Sequence, residues 1–412
     1  MADGLLTPEP RPTMWKRAAA LPVAVRIGIL YVVARIVTTG FFAIAAELAP
    51  FGSRFGADAT PAAFAAGWDA WWYWFVVNVG YPDALPLTDT GEVAENAWAF
   101  MPLYAYIAAW LGAFVGSWIA GAVLVSLVAG YLACLVLYRI VRLRAESTAA
   151  MWAVVFFAAG PLSGLFHVGY AEALFLLWLF LALWCVMLRR YAWLYLLIPL
   201  MGFTRPGVLA FALFLALHGI HRWFTRAREP LPARDIVHIV LLGLLATAVG
   251  FSWQVYAGLK TGDAGAYLAT ELAWRRNWIA DPPTEFAPFD GFLLGARFWA
   301  GQWGIPEVAG YVVLGVIVAG VAALLLFEPH VRRLGADLRL WSASYLLYLL
   351  AVFFPQSSLF RLLVPLSPLW GAAAMPRSTA WRVGVLAACL ASQWWWIYTM
   401  YALAGTALWT IP

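Results

Sequence analysis

The stretch IAGAVLVSLVAGYLACLVLYRIV, residues 119–141, is an apolar run long enough to cross a lipid bilayer as one helix. Similar runs recur along all 412 residues, of which 64% are hydrophobic and 11% are charged. This composition predicts an all-α polytopic membrane protein. Most of the basic residues behind the net charge of +5 fall in short loops, so they indicate membrane orientation rather than nucleic-acid binding.

The same run decides the topology, because Arg139, Arg142 and Arg144 lie at its end. Loops rich in arginine and lysine stay on the cytoplasmic side of a membrane. If the preceding apolar segment, Phe100–Phe114, also crossed the bilayer, these arginines would lie outside. We therefore expect this short segment, which contains Pro102, to form an interfacial or re-entrant helix on the outer face.

The N-terminus carries Arg11, Lys16 and Arg17 and is therefore predicted to be cytoplasmic. From there the same rule predicts about eleven spans that cross the membrane in alternating directions. The predicted spans are 23–47, 119–141, 150–166, 170–188, 192–203, 205–220, 236–258, 307–327, 340–354, 361–375 and 383–402. They form a single membrane domain over residues 1–412. Two long loops on the outer face interrupt it, the first at 48–118 and the second at 259–304.

The first outer loop contains the segment WDAWWYWFVVNVGY, residues 68–81, in which Asp69 lies among tryptophans and tyrosines. Such aromatic rings collect at the boundary between membrane and water. A carboxylate at this depth faces less water than one in solution. Two roles are open for Asp69. It can cap a helix over Ala70–Val79, and it can act as a general base at the membrane surface, and the two roles are compatible.

Two arginines at predicted outer helix ends are candidates for binding phosphate. Arg205 lies between Thr204 and Pro206 in an apolar setting, where an unpaired arginine is costly, and Arg361 follows the PQSS segment. The planar guanidinium fork suits phosphate. Contact with lipid head groups or pairing with Glu172 is the simpler alternative for both.

Glu172 and His167 lie near another predicted outer helix end. Glu172 either complements the helix dipole or accepts a hydrogen bond from a sugar. For His167 a structural role is the simpler interpretation. Glu92 and Glu95, with Asp69 or Asp89, show no recognised metal-ligand spacing, so we expect a reaction without metal or cofactor.

Several sequence blocks, in this order, resemble the PIG-V-type mannosyltransferases, which are membrane enzymes of the class C glycosyltransferase (GT-C) fold. The matching residues are Trp68-Asp69, Trp72-Tyr73, Gly80-Tyr81, Ala99-Phe100, Pro102-Leu103-Tyr104, Tyr170-Ala171-Glu172, Thr204-Arg205-Pro206-Gly207, and Arg361 with Pro365 and Pro368. The resemblance covers residues 67 to 370. It implies a GT-C fold with interfacial helices on the outer face.

The resemblance also implies an inverting transfer of mannose from polyprenyl-phosphate-mannose, which is a co-substrate rather than a cofactor, with Asp69 as the general base. The acceptor would be a glycolipid, a lipoglycan or a secreted polypeptide at the outer face of a bacterial plasma membrane. Arg205 and Arg361 would bind the phosphate. The remaining candidate substrate-binding residues are Tyr73, Tyr81, Tyr104, His167 and Glu172.

Two other classes of protein stay open at this point. A transporter or flippase for a lipid-linked sugar would typically show internal repeats and ionisable residues near the bilayer midplane, and neither is clear here. A non-catalytic membrane scaffold would not need the carboxylate of Asp69. Loss of sugar transfer in the Asp69→Asn variant would distinguish the enzyme from both.

Overall fold

The computed structural model describes residues 21–279, 283, 285–407 and 409–412, and its regular structure is helical. Within these residues Leu87 and Val93 form an isolated β-bridge, and no strand occurs. The helices are α1 Val23–Glu47, α2 Pro61–Ala66, α3 Asp69–Asn78, α4 Pro102–Val115, α5 Trp118–Arg142, α6 Ser147–Ala158, α7 Glu172–Met187, α8 Leu194–Gly202, α9 Val208–Thr225, α10 Ala233–Thr261, α11 Ala266–Ala273, α12 Asp290–Gln302, α13 Glu307–Phe327, α14 Pro329–Arg333, α15 Ala336–Val352, α16 Leu359–Leu362, α17 Trp370–Ala374 and α18 Thr379–Ile397. The predicted all-α class is confirmed.

Five of the described helices are long and apolar enough to cross a membrane, namely α1, α5, α9, α10 and α13. Each of the other predicted spans also contains a helix, but several of these helices are short or interrupted. The predicted number of eleven spans is therefore not established. The N-terminal residues Arg11, Lys16 and Arg17, on which the predicted orientation partly depends, lie outside the described residues.

Helix α4 begins at Pro102 and ends at Val115, and the next residue, Gly116, has a φ of 94° that is easily adopted only by glycine. Its 14 residues extend about 21 Å, which is less than the roughly 30 Å of a hydrocarbon core. Ser117 then caps α5, because its side chain accepts a hydrogen bond from the Ala120 amide. The length of α4 agrees with the predicted short helix, whereas its position relative to a membrane stays a prediction.

The predicted span at 150–166 is not one continuous helix. Helix α6 ends at Ala158, and a 3-10 turn follows at Ser163–His167. The buried Arg35 of α1 donates hydrogen bonds to the carbonyl oxygens of Ala158 and Ser163, the latter at 2.6 Å. Carbonyl groups at a helix end lack partners and carry partial negative charge, so the guanidinium stabilises this break. The sequence analysis did not identify Arg35.

Charged loops gather at two opposite ends of the helix bundle. At one end Arg377 pairs with Glu146 at 2.6 Å, Arg144 lies beside Gly335, and Arg189 pairs with Glu229 at 3.0 Å. These residues belong to the loops predicted to be cytoplasmic. Helices α7 and α9 run from that end to the other, where Asp69, Glu172, Arg205 and Arg361 lie. The core is centred on α7, most of whose side chains are buried.

Candidate active site

A sharp turn at Trp68 positions Asp69 as the first residue of α3. Trp68 has φ 54° and ψ −123°, a conformation that costs energy for a residue other than glycine. The Arg54 guanidinium lies 4.2 Å from the centre of the Trp68 ring and supports the turn. Because α3 begins at Asp69, this carboxylate is in the first helical turn and is not the helix cap.

Asp69 forms a two-pronged ion pair with Arg361 of α16. One guanidinium nitrogen of Arg361 binds Asp69 Oδ2, and the other lies 3.3 Å from Asp69 Oδ1. The two residues are 292 positions apart in the chain. The side chains remain 16% and 13% exposed, so a ligand can reach the pair.

A second ion pair adjoins the first. Glu172 is the first residue of α7, and its Oε1 binds Arg205 and lies 3.5 Å from Arg361 Nη1. Arg205 comes from the turn between α8 and α9, whose Gly207 has φ 134°. The two ion pairs thus form one group of two acidic and two basic residues, which we call the site cluster. Its members are Asp69, Glu172, Arg205 and Arg361. Within it, Glu172 Oε2 is buried without a hydrogen-bond partner.

Two tyrosines adjoin the site cluster. Tyr73 is one turn along α3 from Asp69 and packs edge-on against Tyr104, with ring centres 5.0 Å apart. The ring of Tyr170 lies 5.5 Å from the Arg361 guanidinium, and its buried hydroxyl faces that of Tyr401. Because buried polar groups are normally paired, the free Glu172 oxygen marks a place where a ligand group fits.

Three of the predicted substrate-binding residues make polar contacts elsewhere. The Tyr81 hydroxyl donates to the Phe100 carbonyl oxygen at 2.8 Å. The Tyr104 hydroxyl lies 2.9 Å from the Ala122 carbonyl oxygen. His167 lies 3.1 Å from both Arg35 Nη1 and Thr39 Oγ1 through its two ring nitrogens. The polar groups of these three residues are therefore used inside the fold.

Glu271, which the sequence analysis missed, is a third carboxylate near the site cluster. Burial raises the pKa of Glu271 to about 7, and Tyr267, Arg205 and Arg275 oppose this rise. Its helix α11 is anchored on the first loop by a 2.9 Å hydrogen bond from Asn96 to Thr270. The sequence feature that could have identified Glu271 is its position in a loop rich in tryptophan. The second predicted outer loop, residues 259–304, is described only in part.

The turn after α11 also reaches the first loop. Trp274 packs against Trp72 of α3 and against Phe100, with ring centres 5.9 Å and 6.1 Å apart. Arg276 pairs with Glu92 at 3.5 Å, and Asn277 donates to Glu95 at 2.6 Å. The second loop therefore packs over the helix that carries Asp69.

An apolar cavity of about 570 Å³ lies beside Arg361. The neighbours of this arginine in the chain, Phe360, Leu363 and Val364, line one side of it, and Trp395 and Trp396 line another. The volume is within the usual range for ligand cavities. Among the described residues, no group of three or more histidine, cysteine, aspartate or glutamate side chains is arranged to hold a metal ion.

No protein-family model and no curated protein matches this sequence. Two solved structures are similar to it in outline. One is ArnT from Cupriavidus metallidurans bound to undecaprenyl phosphate, with 14% identity, a TM-score of 0.47, and coverage of 89% of this chain and 62% of that one. The other is the oligosaccharyltransferase AglB from Archaeoglobus fulgidus with an inhibitory peptide and a dolichol-phosphate, with 12% identity, a TM-score of 0.47, and coverage of 92% and 56%. The chain thus spans about three fifths of the length of either structure.

Proposed function

We propose that this protein is a GT-C glycosyltransferase that moves a mannosyl group from polyprenyl-phosphate-mannose to an acceptor hydroxyl at the outer face of a plasma membrane. The main support is the site cluster itself. Its four members come from four of the sequence blocks that resemble the PIG-V-type mannosyltransferases, at residues 68–69, 170–172, 204–207 and 361–368. Blocks that are far apart in the chain supply charges to one site.

Arg205 and Arg361 are the proposed phosphate ligands. Each is paired with a carboxylate, so the cluster is neutral before the donor arrives. Two non-bridging oxygens of a phosphate accept the paired hydrogen bonds of a guanidinium, as the two oxygens of a carboxylate do. The donor phosphate competes with Asp69 for Arg361, while Glu172 keeps Arg205 in place.

Once Arg361 engages the phosphate, Asp69 is free to act as the base. In the proposed step, a carboxylate oxygen of Asp69 takes the proton of the acceptor hydroxyl as the acceptor oxygen bonds to the anomeric carbon. The bond from that carbon to the phosphate oxygen breaks, and the lipid phosphate leaves with the electron pair. Attack from the face opposite the leaving group inverts the configuration. A positioned base of this kind contributes about 10²–10⁴-fold to the rate.

The apolar cavity supports a lipid-linked donor rather than a soluble sugar nucleotide. It lies among residues that flank Arg361 in the chain, so a lipid chain attached to a phosphate at this arginine has an apolar cavity nearby. The isoprenoid tail of the donor is the occupant that this position favours. Its burial removes apolar surface from water and so adds to the affinity.

The test uses purified full-length protein in lipid nanodiscs, with radiolabelled polyprenyl-phosphate-mannose as donor. An alkyl mannoside and a membrane lipid extract serve as acceptors. We expect transfer by the wild type and by Asp89→Asn, an exposed carboxylate variant in the same loop, but not by Asp69→Asn. Lipid scrambling across vesicles without any sugar transfer would contradict the proposal and favour a flippase.

A further inference from the structure

A second cavity, of about 950 Å³, opens at the end of the bundle opposite the site cluster. It lies between the loops that join α5 to α6, α13 to α15 and α17 to α18. Its charged lining residues are Arg142, Arg144, Glu146, His330, Arg333, Arg377 and Arg382. The proposed glycosyl transfer makes no use of this cavity.

The cavity carries a large excess of positive charge. Five arginines face one glutamate there, so four positive charges remain without a lining carboxylate. Among the described residues, only Arg377 of these five lies within 4.0 Å of a carboxylate, that of Glu146. Like charges gathered around one concave surface repel each other and attract counter-ions. The lining therefore favours an anion with several negatively charged oxygens.

Arg382 is the most buried of the five lining arginines. Its side chain is only 8% exposed, and its Nη2 donates to the Ala374 carbonyl oxygen at 3.1 Å. Its Nε is buried with no hydrogen-bond partner, although Arg382 lines the cavity. Nε of Arg35 and Nε of Arg222 are likewise buried without a partner, so the charge excess of the lining, and not this atom, points to a ligand.

The remaining lining residues distinguish a lipid from a soluble anion. Leu143, Ala145, Met375 and Pro376 place apolar surface beside the arginines. The cavity also lies at the ends of α5 and α17, where the apolar helices stop and the head groups of a bilayer are expected. Basic pockets between helices at this level are suited to anionic head groups.

We propose that this cavity binds the phosphate head group of an anionic phospholipid, with its acyl chains along the neighbouring helices. Guanidinium groups suit this ligand because each donates two parallel hydrogen bonds to phosphate oxygens. Arg144 and Arg333 are the best variants for a test, because both are exposed and neither pairs with a carboxylate within 4.0 Å among the described residues.

The experiment is native mass spectrometry of the full-length protein in detergent, titrated with phosphatidylglycerol or with phosphatidylcholine of the same acyl chains. We expect phosphatidylglycerol to bind more tightly. The double variant Arg144→Gln/Arg333→Gln should weaken that binding about 25-fold, from about fivefold for each arginine. The matched control is Arg226→Gln/Arg228→Gln, which removes two exposed arginines of the same end outside the cavity and should bind as the wild type does.

Three results would overturn this proposal. One is equal binding of the anionic and the zwitterionic lipid. Another is an equal loss of binding in the cavity variant and the control variant. The last is displacement by glycerol 3-phosphate at the concentration needed for the lipid itself, since a soluble phosphate would then be the ligand. None of these measurements depends on sugar transfer, so the proposed function can fail without affecting the outcome.

Discussion

The protein holds a buried group of charges at each end of its bundle, and the two groups differ in how completely they are paired. At the end opposite the site cluster, Asp337 binds His218 at 2.7 Å through Oδ1 and lies 3.7 Å from Arg189 through Oδ2. His218 in turn contacts the Tyr191 hydroxyl at 2.9 Å. We call Asp337, His218, Tyr191 and Arg189 the closed cluster. In the site cluster, by contrast, Glu172 Oε2 has no partner.

This difference shows that burial and ion pairing alone do not mark a functional site. Both clusters lie largely inside the fold, both contain a carboxylate between basic side chains, and both join distant parts of the chain. The closed cluster uses both carboxylate oxygens and its tyrosine hydroxyl internally. The site cluster leaves one carboxylate oxygen, Glu172 Oε2, without a partner inside the fold.

The largest expected effect is on the rate of mannose transfer, when one carboxylate charge is removed from the site cluster. Asp69→Asn should lower the rate of mannose transfer by about 10²–10⁴-fold, because the amide cannot take the proton. Its melting temperature should stay close to that of the wild type, since Glu172 still pairs with Arg361. Initial rates and thermal unfolding of the same preparation would measure both effects. Retained transfer would exclude Asp69 as the base.

The corresponding change in the closed cluster should affect stability instead. Asp337→Ala leaves buried His218 without its acceptor and should destabilise the protein by about 3–5 kcal/mol. The fraction that stays folded should transfer sugar at the rate of the wild type. Denaturation in detergent, together with activity per folded molecule, would check this. A loss of activity without a loss of stability would mean that the two ends are not separate in function.

An effect of intermediate size is expected on protein stability, which should depend on pH through Glu271 in the second loop. The folded pKa of Glu271 is about 7 and its ordinary value is 4.5, so between these values the folded protein keeps a proton that the unfolded chain releases. Stability should therefore fall as the pH rises through this window, by up to about 3 kcal/mol. Melting curves from pH 5 to pH 8 should show this decline for the wild type and not for Glu271→Gln. Parallel curves for the two proteins would contradict it.

The smallest expected effect is on KM for the donor, and it is tested by comparing one arginine at each end of the bundle. Arg361→Lys keeps the charge but loses the fork that binds both oxygens of Asp69, so KM for the donor should rise about tenfold. Arg189→Lys, in the closed cluster, should leave this KM unchanged. Steady-state kinetics with varied donor concentration would measure both. Equal KM values for the two variants would argue against phosphate binding by Arg361.

The individual charges of the site cluster were predictable from the sequence, and so was the pairing of Arg205 and Arg361 with Glu172, whereas the pairing of Arg361 with Asp69 was not. Asp69, Arg205 and Arg361 stand out because each is a charge in an aromatic or apolar setting. Nothing local indicates that Arg361 pairs with a residue 292 positions earlier, because that contact depends on how the helices pack. His167 is close to Glu172 in the sequence, yet it turns towards Arg35 and Thr39.

The elements of the fold were predictable to a similar extent. The all-α class and the short α4 followed from apolar run lengths and from Pro102. The end of α6 at Ala158 was missed, because the apolar pattern continues through Gly160 and Pro161 although the helix does not. Glu271 was missed because it is an ordinary glutamate in an eight-residue helix, and only the packing of α11 removes much of it from solvent.

Arg35 has a consequence for how the chain is made. The carbonyl groups that it binds belong to Ala158 and Ser163, which are 123 and 128 positions later. At roughly 5–20 residues per second, about 6–25 s pass between the synthesis of the arginine and that of Ala158. Meanwhile the nascent first helix holds a cation in a segment bound for the bilayer, at a cost of about 2.5–3.5 kcal/mol. The first helix therefore carries this cost until Ala158 at the end of α6 has been synthesised.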